Sequence, residues 1–277
     1  MSQFPAVTRT PGMYEYTFIH ARLQREFILY IPKGYTHVDL CPLMVVLHGG
    51  GGSAKNMFAA HPLEAHADAS GYVIVAAQGT PKPGGGNDWN TSAAFDTSAD
   101  DDVGYLERVI LGLSAALKID AKRRYVAGFS GGATMTVRFA TEKSELVAAI
   151  GTFAGKVGRS ASSSPPFVFP PEPTTPISVQ MTYGTLDDNY TGGLKEGILF
   201  TSAEEGIAWW TQSLGCDCPA TTDVKNKLRF DSYVGCRSGT VVRLITVDGM
   251  THMWPNKEDG LDGTRLLLDF FQDKVKP

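Results

Sequence analysis

A glycine-rich segment, Gly128-Phe129-Ser130-Gly131-Gly132, lies between a strand-like run and a helix-compatible run. Residues 124–127 before it suit a buried strand, and residues 133–140 after it suit a helix. Glycines lack Cβ atoms, so a strand and a helix can approach closely on either side of a sharp turn. Such a turn pushes the serine hydroxyl outward, and this strand–helix context makes an otherwise weak motif informative. The segment predicts an exposed Ser130 at the carboxyl end of a strand.

Short apolar runs alternate with longer helical patterns along the chain. Eight strands are predicted, at residues 14–19, 25–31, 43–48, 72–77, 124–129, 147–153, 177–184 and 241–247. Five helices are predicted, at about residues 54–69, 101–118, 131–142, 203–213 and 262–273. This alternation is typical of βαβ units around a mostly parallel sheet, so we expect an α/β fold with helices on both faces of an eight-stranded sheet.

Two stretches interrupt this alternation. Residues 81–98 are rich in Gly, Asn and Asp, which predicts an irregular loop. Residues 160–176 contain six prolines, which exclude a helix or a central strand. We expect a surface excursion here that borders the site around Ser130 and is too short to form a large lid. The 277 residues are therefore expected to form a single domain over 1–277 that includes this excursion.

The charge and the apolar runs limit the classes of partner. A net charge of −4 offers no attraction to nucleic acid or anionic lipid, so neither is expected as a partner. The longest apolar runs are too short to cross a bilayer, so no membrane association is expected. The first residues lack the basic and apolar regions of a signal peptide. We expect a cytoplasmic protein, or a secreted or periplasmic one if a signal was removed and a disulfide forms, as a monomer or homodimer.

A serine hydroxyl needs a general base to act as a nucleophile near neutral pH. His252 is the one histidine of six that follows Ser130 in the chain, and it lies in a loop after the predicted strand 241–247. In the α/β-hydrolase fold the catalytic residues follow the order serine, acid, histidine. His252 is therefore the predicted base.

The acid must lie between the serine and the histidine. Asp187 comes directly after the predicted strand 177–184, at a carboxyl end where the sites of open α/β sheets gather. We predict Asp187 as the acid, with Asp188 as its competitor. Other acids in this part of the chain are less well placed.

A tetrahedral intermediate also needs amide donors for its oxyanion. Residues 48–52, His-Gly-Gly-Gly-Gly, follow the predicted strand 43–47, where this fold carries its second donor loop. We predict an oxyanion hole formed by Gly131 and by Gly50 or Gly51. A phosphate-binding loop is disfavoured because no Gly-Lys-Ser/Thr follows the glycines.

Three of the four cysteines lie close together in the chain. They are Cys216, Cys218 and Cys236, and the fourth is Cys41. A disulfide from Cys236 to Cys216 or Cys218 is compatible with an oxidising compartment, and reduced thiols are the alternative. A zinc site would need four good ligands and the cluster has no fourth, so we expect no metal.

Several motifs together resemble one branch of the α/β-hydrolase superfamily, the esterases similar to polyhydroxybutyrate depolymerases, feruloyl esterases and acetylxylan esterases. The segments that carry the resemblance are residues 47–53, 87–90, 101–105, 128–132, 183–188 and 249–255, with the pairs Gly215-Cys216 and Gly235-Cys236. The resemblance implies a triad of Ser130, Asp187 and His252, a disulfide between Cys216 and Cys236, and no cofactor. Tyr183 departs from the family pattern, since relatives often have histidine there. Gly131 departs too, where many relatives have alanine, and Cys218 is an extra cysteine.

These residues predict acyl transfer to Ser130, followed by hydrolysis of the acyl-enzyme by water that His252 activates. The expected enzyme is a serine esterase acting on small-molecule or polymer-linked esters, among them feruloyl or acetyl esters of polysaccharides and polyesters. Candidate substrate-binding aromatics are Trp89, Phe129, Tyr183 and Trp254. A β-diketone hydrolase or an acyltransferase would use the same triad. A non-catalytic binding protein is disfavoured by the intact serine, acid and histidine.

Overall fold

A ten-stranded sheet forms the centre of the computed structural model, which describes residues 3–91, 100–160, 166–195, 197–256 and 260–277. The strands of the described residues are β1 Gly12–His20, β2 Leu23–Ile31, β3 Cys41–Leu47, β4 Val73–Ala77, β5 Thr80–Pro81, β6 Asn87–Asp88, β7 Ile119–Phe129, β8 Ala149–Phe153, β9 Arg159–Ser160, β10 Phe167–Val168, β11 Ser178–Gly184, β12 Gly193–Lys195, β13 Ile198–Phe200, β14 Thr221–Lys225, β15 Leu228–Tyr233 and β16 Val242–Val247. The α-helices are α1 Ala54–Ala60, α2 Leu63–Ser70, α3 Asp102–Ala116, α4 Gly131–Glu142, α5 Asp188–Thr191, α6 Ala203–Ser213 and α7 Gly263–Phe271.

The main sheet is parallel at its centre and antiparallel at its two ends. Its strand order is β1-β2-β4-β3-β7-β8-β11-β16-β15-β14, and the pairs from β4 to β16 are parallel. Each of the eight predicted strands overlaps a strand of this sheet. The predicted number of eight was wrong because β14 and β15 extend the sheet to ten. Every residue of β14 is exposed, and its sequence is mostly polar, so it has no apolar run from which a strand could be predicted.

Helices cover both faces of the sheet, and successive side chains of a strand point alternately to one face and the other. Leu43, Val45 and Leu47 of β3 pack in one core cluster with α3, α4 and α6. Met44 and Val46 pack in a second cluster with α1, α2 and α7. Alternate side chains of a strand point to opposite faces, so one apolar run supplies both cores. This mostly parallel sheet between two helical layers is the predicted α/β architecture.

The predicted helix 54–69 is two helices in the structure. His61, between α1 and α2, has extended backbone angles and is followed by Pro62. Proline has no amide hydrogen and disfavours helical angles at the residue before it, which separates the two helices. None of the helices in the described ranges combines the length and the hydropathy needed to cross a bilayer.

A second sheet of four short antiparallel strands, which we call the small sheet, lies in the insertions after β8 and β11. Its strand order is β10-β9-β13-β12. The proline-rich excursion 160–176 contributes β10, while residues 161–165 lie outside the described part of the chain. The predicted loop 81–98 contains β6, which pairs with β5, and its residues 92–98 also lie outside the described part. The single-domain organisation over residues 1–277 stays a prediction.

A disulfide and a buried ion pair each join segments that are distant in the sequence. A disulfide joins Cys216, just after α6, to Cys236, between β15 and β16, as the resemblance implied. Cys218 is an exposed free thiol. Towards the opposite end of the main sheet, buried Arg25 of β2 donates to buried Asp102 of α3 at 2.6 Å. A hydrogen-bonded buried charge pair of this kind fixes where α3 begins, because neither charge tolerates the loss of its partner.

Candidate active site

Ser130 lies on the sharp turn predicted from the glycine-rich segment. β7 ends at Phe129, α4 begins at Gly131, and Ser130 between them has φ 52° and ψ −116°, outside the usual regions for a residue with a side chain. A Cβ atom on Gly128 would clash with the carbonyl group of Gly132, and a Cβ atom on Gly132 would clash with the carbonyl oxygen of His48. Close packing of strand, turn and helix therefore requires both glycines.

His252 bridges Ser130 and Asp187. Its Nε2 atom lies 2.9 Å from Ser130 Oγ, and its Nδ1 atom lies 3.0 Å from Asp187 Oδ1. A carboxylate only accepts hydrogen bonds, so Nδ1 carries the hydrogen and Nε2 is left to accept the serine proton. The Asp187 side chain is 1% exposed and that of His252 is 41% exposed. The acid is thus buried while the serine side of the imidazole is accessible.

Asp187, and not Asp188, is the acid that the structure brings to His252. Asp187 follows β11 and caps α5, where its Oδ1 accepts from the amide of Asn189 at 2.8 Å. Its Oδ2 is buried and has no hydrogen-bond partner among the described residues. Asp188 is exposed at the first position of α5. The β11 and β16 loops also contact each other directly, since Leu186 N donates to Met250 O at 3.0 Å.

Of the three predicted oxyanion donors, Gly50 and Gly131 are suitably placed and Gly51 is not. The side-chain position of Gly131 lies 3.3 Å from the amide nitrogen of Gly50, so these two backbones are adjacent. Gly131 is the first residue of α4, and the first amides of a helix have no partner within it. The amide of Gly51 instead donates to Asn87 O at 2.8 Å, so its predicted role in the oxyanion hole was wrong.

Side-chain hydrogen bonds hold the glycine loop of residues 48–52 in place. His48 Nδ1 donates to Gly49 O at 2.8 Å, and His48 Nε2 accepts from the amide of Gly79 at 3.0 Å. Burial lowers the pKa of His48, which favours this neutral, doubly bonded form. Asn87 Nδ2 donates to Gly52 O, and Trp89 Nε1 donates to His48 O, both at 2.8 Å. His48 therefore positions backbone amides of this region and does not transfer a proton.

A cavity of about 430 Å³ opens beside Ser130 and His252. The described residues that line it are Gly50, Asp88, Trp89, Thr91, Ser130, Gly131, Thr134, Val137, Arg138, Glu142, Lys156, Val157, Gly158, Arg159, Val168, Phe169, Pro170, Pro171, Asn189, Lys195, Phe200 and His252. Residues 168–171 belong to the proline-rich excursion, which therefore borders the site as expected. Phe169 of the excursion and Phe200 of β13 supply an apolar wall. Phe200 was missed, because a strand of three residues has no apolar periodicity.

The four predicted substrate-binding aromatics have different positions. Trp89 lines the cavity. Phe129 is not among the lining residues and packs on the His252 ring, with centroids 5.0 Å apart. Tyr183 is buried in β11 and donates to Gly155 O at 2.6 Å, and both burial and Asp187 raise the pKa of its hydroxyl. Trp254 is buried against Phe153, in the core cluster of the opposite face. For Tyr183 and Trp254 the predicted contact with substrate was wrong, because both rings are buried in the core. For Trp89 and Phe129 it stays a prediction.

No group of three or more His, Cys, Asp or Glu side chains in the described ranges is arranged to hold a metal ion. The arrangement that the structure does contain is a polarised serine, a base oriented by a buried carboxylate, and two adjacent backbone amides. Such a set of groups can carry out acyl transfer.

Comparison with known proteins shows that the chain is similar to esterases. NocK, a proposed esterase of Nocardia uniformis subsp. tsuyamanensis, is 29% identical over 234 residues, which are 77% of this chain and 65% of NocK. Feruloyl esterase B of Piromyces equi is 25% identical over 245 residues, 86% of this chain and 44% of that protein. The chain thus spans less than two thirds of the length of these relatives.

Solved structures and a family model complete the comparison. The acetyl xylan esterase from Aspergillus awamori superposes with a TM-score of 0.67 at 14% identity, over 94% of this chain and 99% of that one. This likeness confirms the α/β-hydrolase fold. The family model described as esterase PHB depolymerase matches residues 25–166, just over half of the chain. The chain belongs to the esterase PHB depolymerase family.

Proposed function

We propose that the protein is a carboxylic ester hydrolase in which Ser130 is the nucleophile, His252 the general base and Asp187 the orienting acid. One observation carries the proposal: His252 hydrogen-bonds Ser130 Oγ on one side and Asp187 Oδ1 on the other, beside a cavity. The names of the relatives, which include feruloyl and acetylxylan esterases, support the same class of reaction.

The geometry supports an acyl-enzyme mechanism in two stages. His252 Nε2 accepts the hydroxyl proton as Ser130 Oγ attacks the ester carbonyl, and Asp187 stabilises the imidazolium that forms. The oxyanion that develops is stabilised by the amides of Gly50 and Gly131. Collapse transfers the proton from His252 to the leaving alcohol, and a water molecule activated by the same imidazole then hydrolyses the acyl-enzyme.

The substrate class we propose is an ester linked to a small molecule or to a polymer, such as a feruloyl or acetyl ester of a polysaccharide, or a polyester. The accessible face of His252 and the short excursion at the cavity rim support access by an ester on a bulky chain. Val168, Phe169 and Phe200 offer an apolar surface to an aromatic or aliphatic acyl group.

A labelling experiment tests the nucleophile and a substrate panel tests the class. Wild-type protein should react covalently with a fluorophosphonate probe, and Ser130→Ala should lose both the label and on the order of 10⁴-fold in kcat. The panel compares methyl ferulate, acetylated xylan, p-nitrophenyl acetate and polyhydroxybutyrate. An unlabelled wild type, or equal labelling of Ser130→Ala, would contradict the proposed nucleophile. Turnover confined to p-nitrophenyl acetate would contradict the polymer-linked class.

A further inference from the structure

The described lining of the cavity beside Ser130 has a charge opposite to that of the chain as a whole. Its described lining contains four basic residues and two acids. These are Arg138, Lys156, Arg159, Lys195, Asp88 and Glu142. The chain has a net charge of −4, so a basic excess in this one cavity is not explained by composition. A ligand inside it experiences a local positive potential, because concave low-dielectric walls concentrate the field.

The two acids of the cavity each have a basic partner. Asp88 Oδ2 lies 3.2 Å from Lys82 Nζ, and Glu142 Oε1 accepts from Arg138 Nε at 2.8 Å. The other three basic residues come from the small sheet or adjoin it, and none of the residues in its four strands is acidic. Within the described lining, the basic residues other than Arg138 therefore lie in the small sheet or next to it.

Strand register directs these basic side chains to one face. Arg159 of β9 lies opposite both Val168 of β10 and Phe200 of β13. Directly opposed residues in antiparallel strands share a face, and all three line the cavity. Gly193 of β12 pairs with Phe200, so Lys195, two residues further along, lies on that face as well. The small sheet thus presents two cations flanked by apolar side chains toward Ser130.

Lys156 extends this cationic face toward the nucleophile. Its Nζ atom lies 3.4 Å from the centroid of the Phe200 ring, a cation–π contact that fixes the ammonium group at the cavity wall. Its backbone amide donates to Thr134 Oγ1 at 3.2 Å, and Thr134 lies in the first turn of α4, directly after Ser130. Burial lowers the pKa of Arg159, because the surrounding protein removes part of the hydration of the guanidinium group.

We propose that this face, made by Arg159, Lys195 and Lys156 with Val168 and Phe200, selects esters that carry a carboxylate next to an apolar chain or ring. The proposal rests on the ester hydrolysis proposed above and adds the charge of the preferred substrate. The carboxylate contacts the guanidinium and ammonium groups, the apolar part packs on Val168 and Phe200, and the ester carbonyl reaches Ser130.

Two pairs of matched esters test the preference. In the first pair the charge is on the acyl side: p-nitrophenyl hydrogen adipate is compared with p-nitrophenyl hexanoate, whose acyl chain has the same length. In the second pair it is on the alcohol side: 4-acetoxybenzoate is compared with its methyl ester. At low ionic strength the wild type should show kcat/KM about 10-fold higher for the anionic ester in at least one pair. Salt at about 0.5 M should reduce this preference, because it screens the attraction.

Substitution of single charges assigns the preference to the small sheet. Arg159→Gln and Lys195→Gln should each lower kcat/KM more for the anionic ester than for its neutral match, mainly by raising KM. Lys195 is exposed, so Lys195→Gln keeps the test valid even if Arg159→Gln fails to fold. The matched control is Lys122→Gln, which removes one charge from an exposed position near the start of β7, far along that strand from Ser130. It should leave the preference unchanged.

The outcomes separate this proposal from the proposed function. Hydrolysis of neutral and anionic esters at equal rates in both pairs would overturn the charge preference and leave the esterase intact. Retention of the preference by both small-sheet variants would overturn it too. Failure to hydrolyse any of the four esters, together with failure to react with a fluorophosphonate, would contradict the ester hydrolysis itself and, with it, this proposal.

Discussion

The two sides of the cavity are built in different ways. Ser130, Asp187 and His252 follow β7, β11 and β16, long strands of the main sheet; we call their carboxyl ends the central edge. All seven residues of β11 are buried. The small sheet on the other side has strands of only two or three residues, most of them partly or fully exposed.

This difference separates positioning from recognition. Interatomic distances of about 3 Å must be held constant for proton transfer, and only side chains attached to a packed core hold them so closely. The small sheet contacts the rest of the substrate, where charge and shape matter more than fractions of an ångström. We therefore expect substitutions at the central edge to affect rate or stability strongly, and substitutions in the small sheet to affect mainly the choice of substrate.

The largest effect should come from Asp187. Asp187→Asn keeps the shape of the side chain but removes the charge that holds the His252 tautomer and stabilises the imidazolium. We expect kcat to fall on the order of 10⁴-fold with little change in KM. Steady-state kinetics with p-nitrophenyl acetate measure both quantities.

Asp188→Asn is the matched control, one residue further along the chain. Its side chain is exposed at the start of α5, so kcat should stay within about threefold of wild type. A large loss of kcat in Asp188→Asn with a small loss in Asp187→Asn would show that Asp188 is the acid and contradict the assignment made from the geometry.

Much of the central edge could be predicted from sequence, because its constraints are local. A buried parallel strand is a short apolar run, and the glycines around Ser130 mark the turn in the sequence itself. The order of serine, acid and histidine then reduced the candidates to those that the structure brings within hydrogen-bonding distance. Their catalytic roles stay predictions.

The other side of the cavity could not be predicted, because its contacts are not local. β9 pairs with β10 and β13, whose short segments carry no periodic signal. A run of glycines does not show which amide is free to donate to a substrate. The amide of Gly51 is engaged because it donates to Asn87 O, a contact that the sequence does not reveal. The aromatic side chains of Tyr183 and Trp254 belong to core layers, which only the packed fold reveals.

The second prediction concerns the stability of the main sheet. Arg25→Met leaves Asp102 buried without its charged partner, which should reduce the free energy of unfolding by about 3–5 kcal/mol. Urea denaturation at neutral pH measures this. Lys33→Met is the matched control: Lys33 pairs with Asp68 but is 82% exposed, and ion pairs at exposed positions contribute little to stability. Equal losses in the two variants would show that the buried pair does not support the main sheet.

The third prediction tests the packing of the turn at Ser130. Gly132→Ala should stabilise an ordinary helix, yet here the added Cβ clashes with the carbonyl oxygens of Leu47 and His48. We expect a net loss of about 1–3 kcal/mol in stability, accompanied by a loss of activity as β3 and α4 separate. Gly34→Ala, where an added Cβ has no atom within 4 Å, is the control and should be close to neutral. A Gly132→Ala variant with wild-type stability would show that the turn tolerates a side chain.

The smallest effect should come from the small sheet. Leu194 of β12 is 61% exposed, so Leu194→Ala removes few contacts and should change the free energy of unfolding by at most about 0.5 kcal/mol. The same substitution at Leu29, fully buried in β2, creates a cavity and should cost about 2–5 kcal/mol. Because both variants are Leu→Ala, urea denaturation compares directly how much each region contributes to the free energy of unfolding. Because the small sheet contributes little to the core, its residues can change without unfolding the main sheet. A loss at Leu194 as large as that at Leu29 would mean that the small sheet is part of the folding core and cannot vary independently of the central edge.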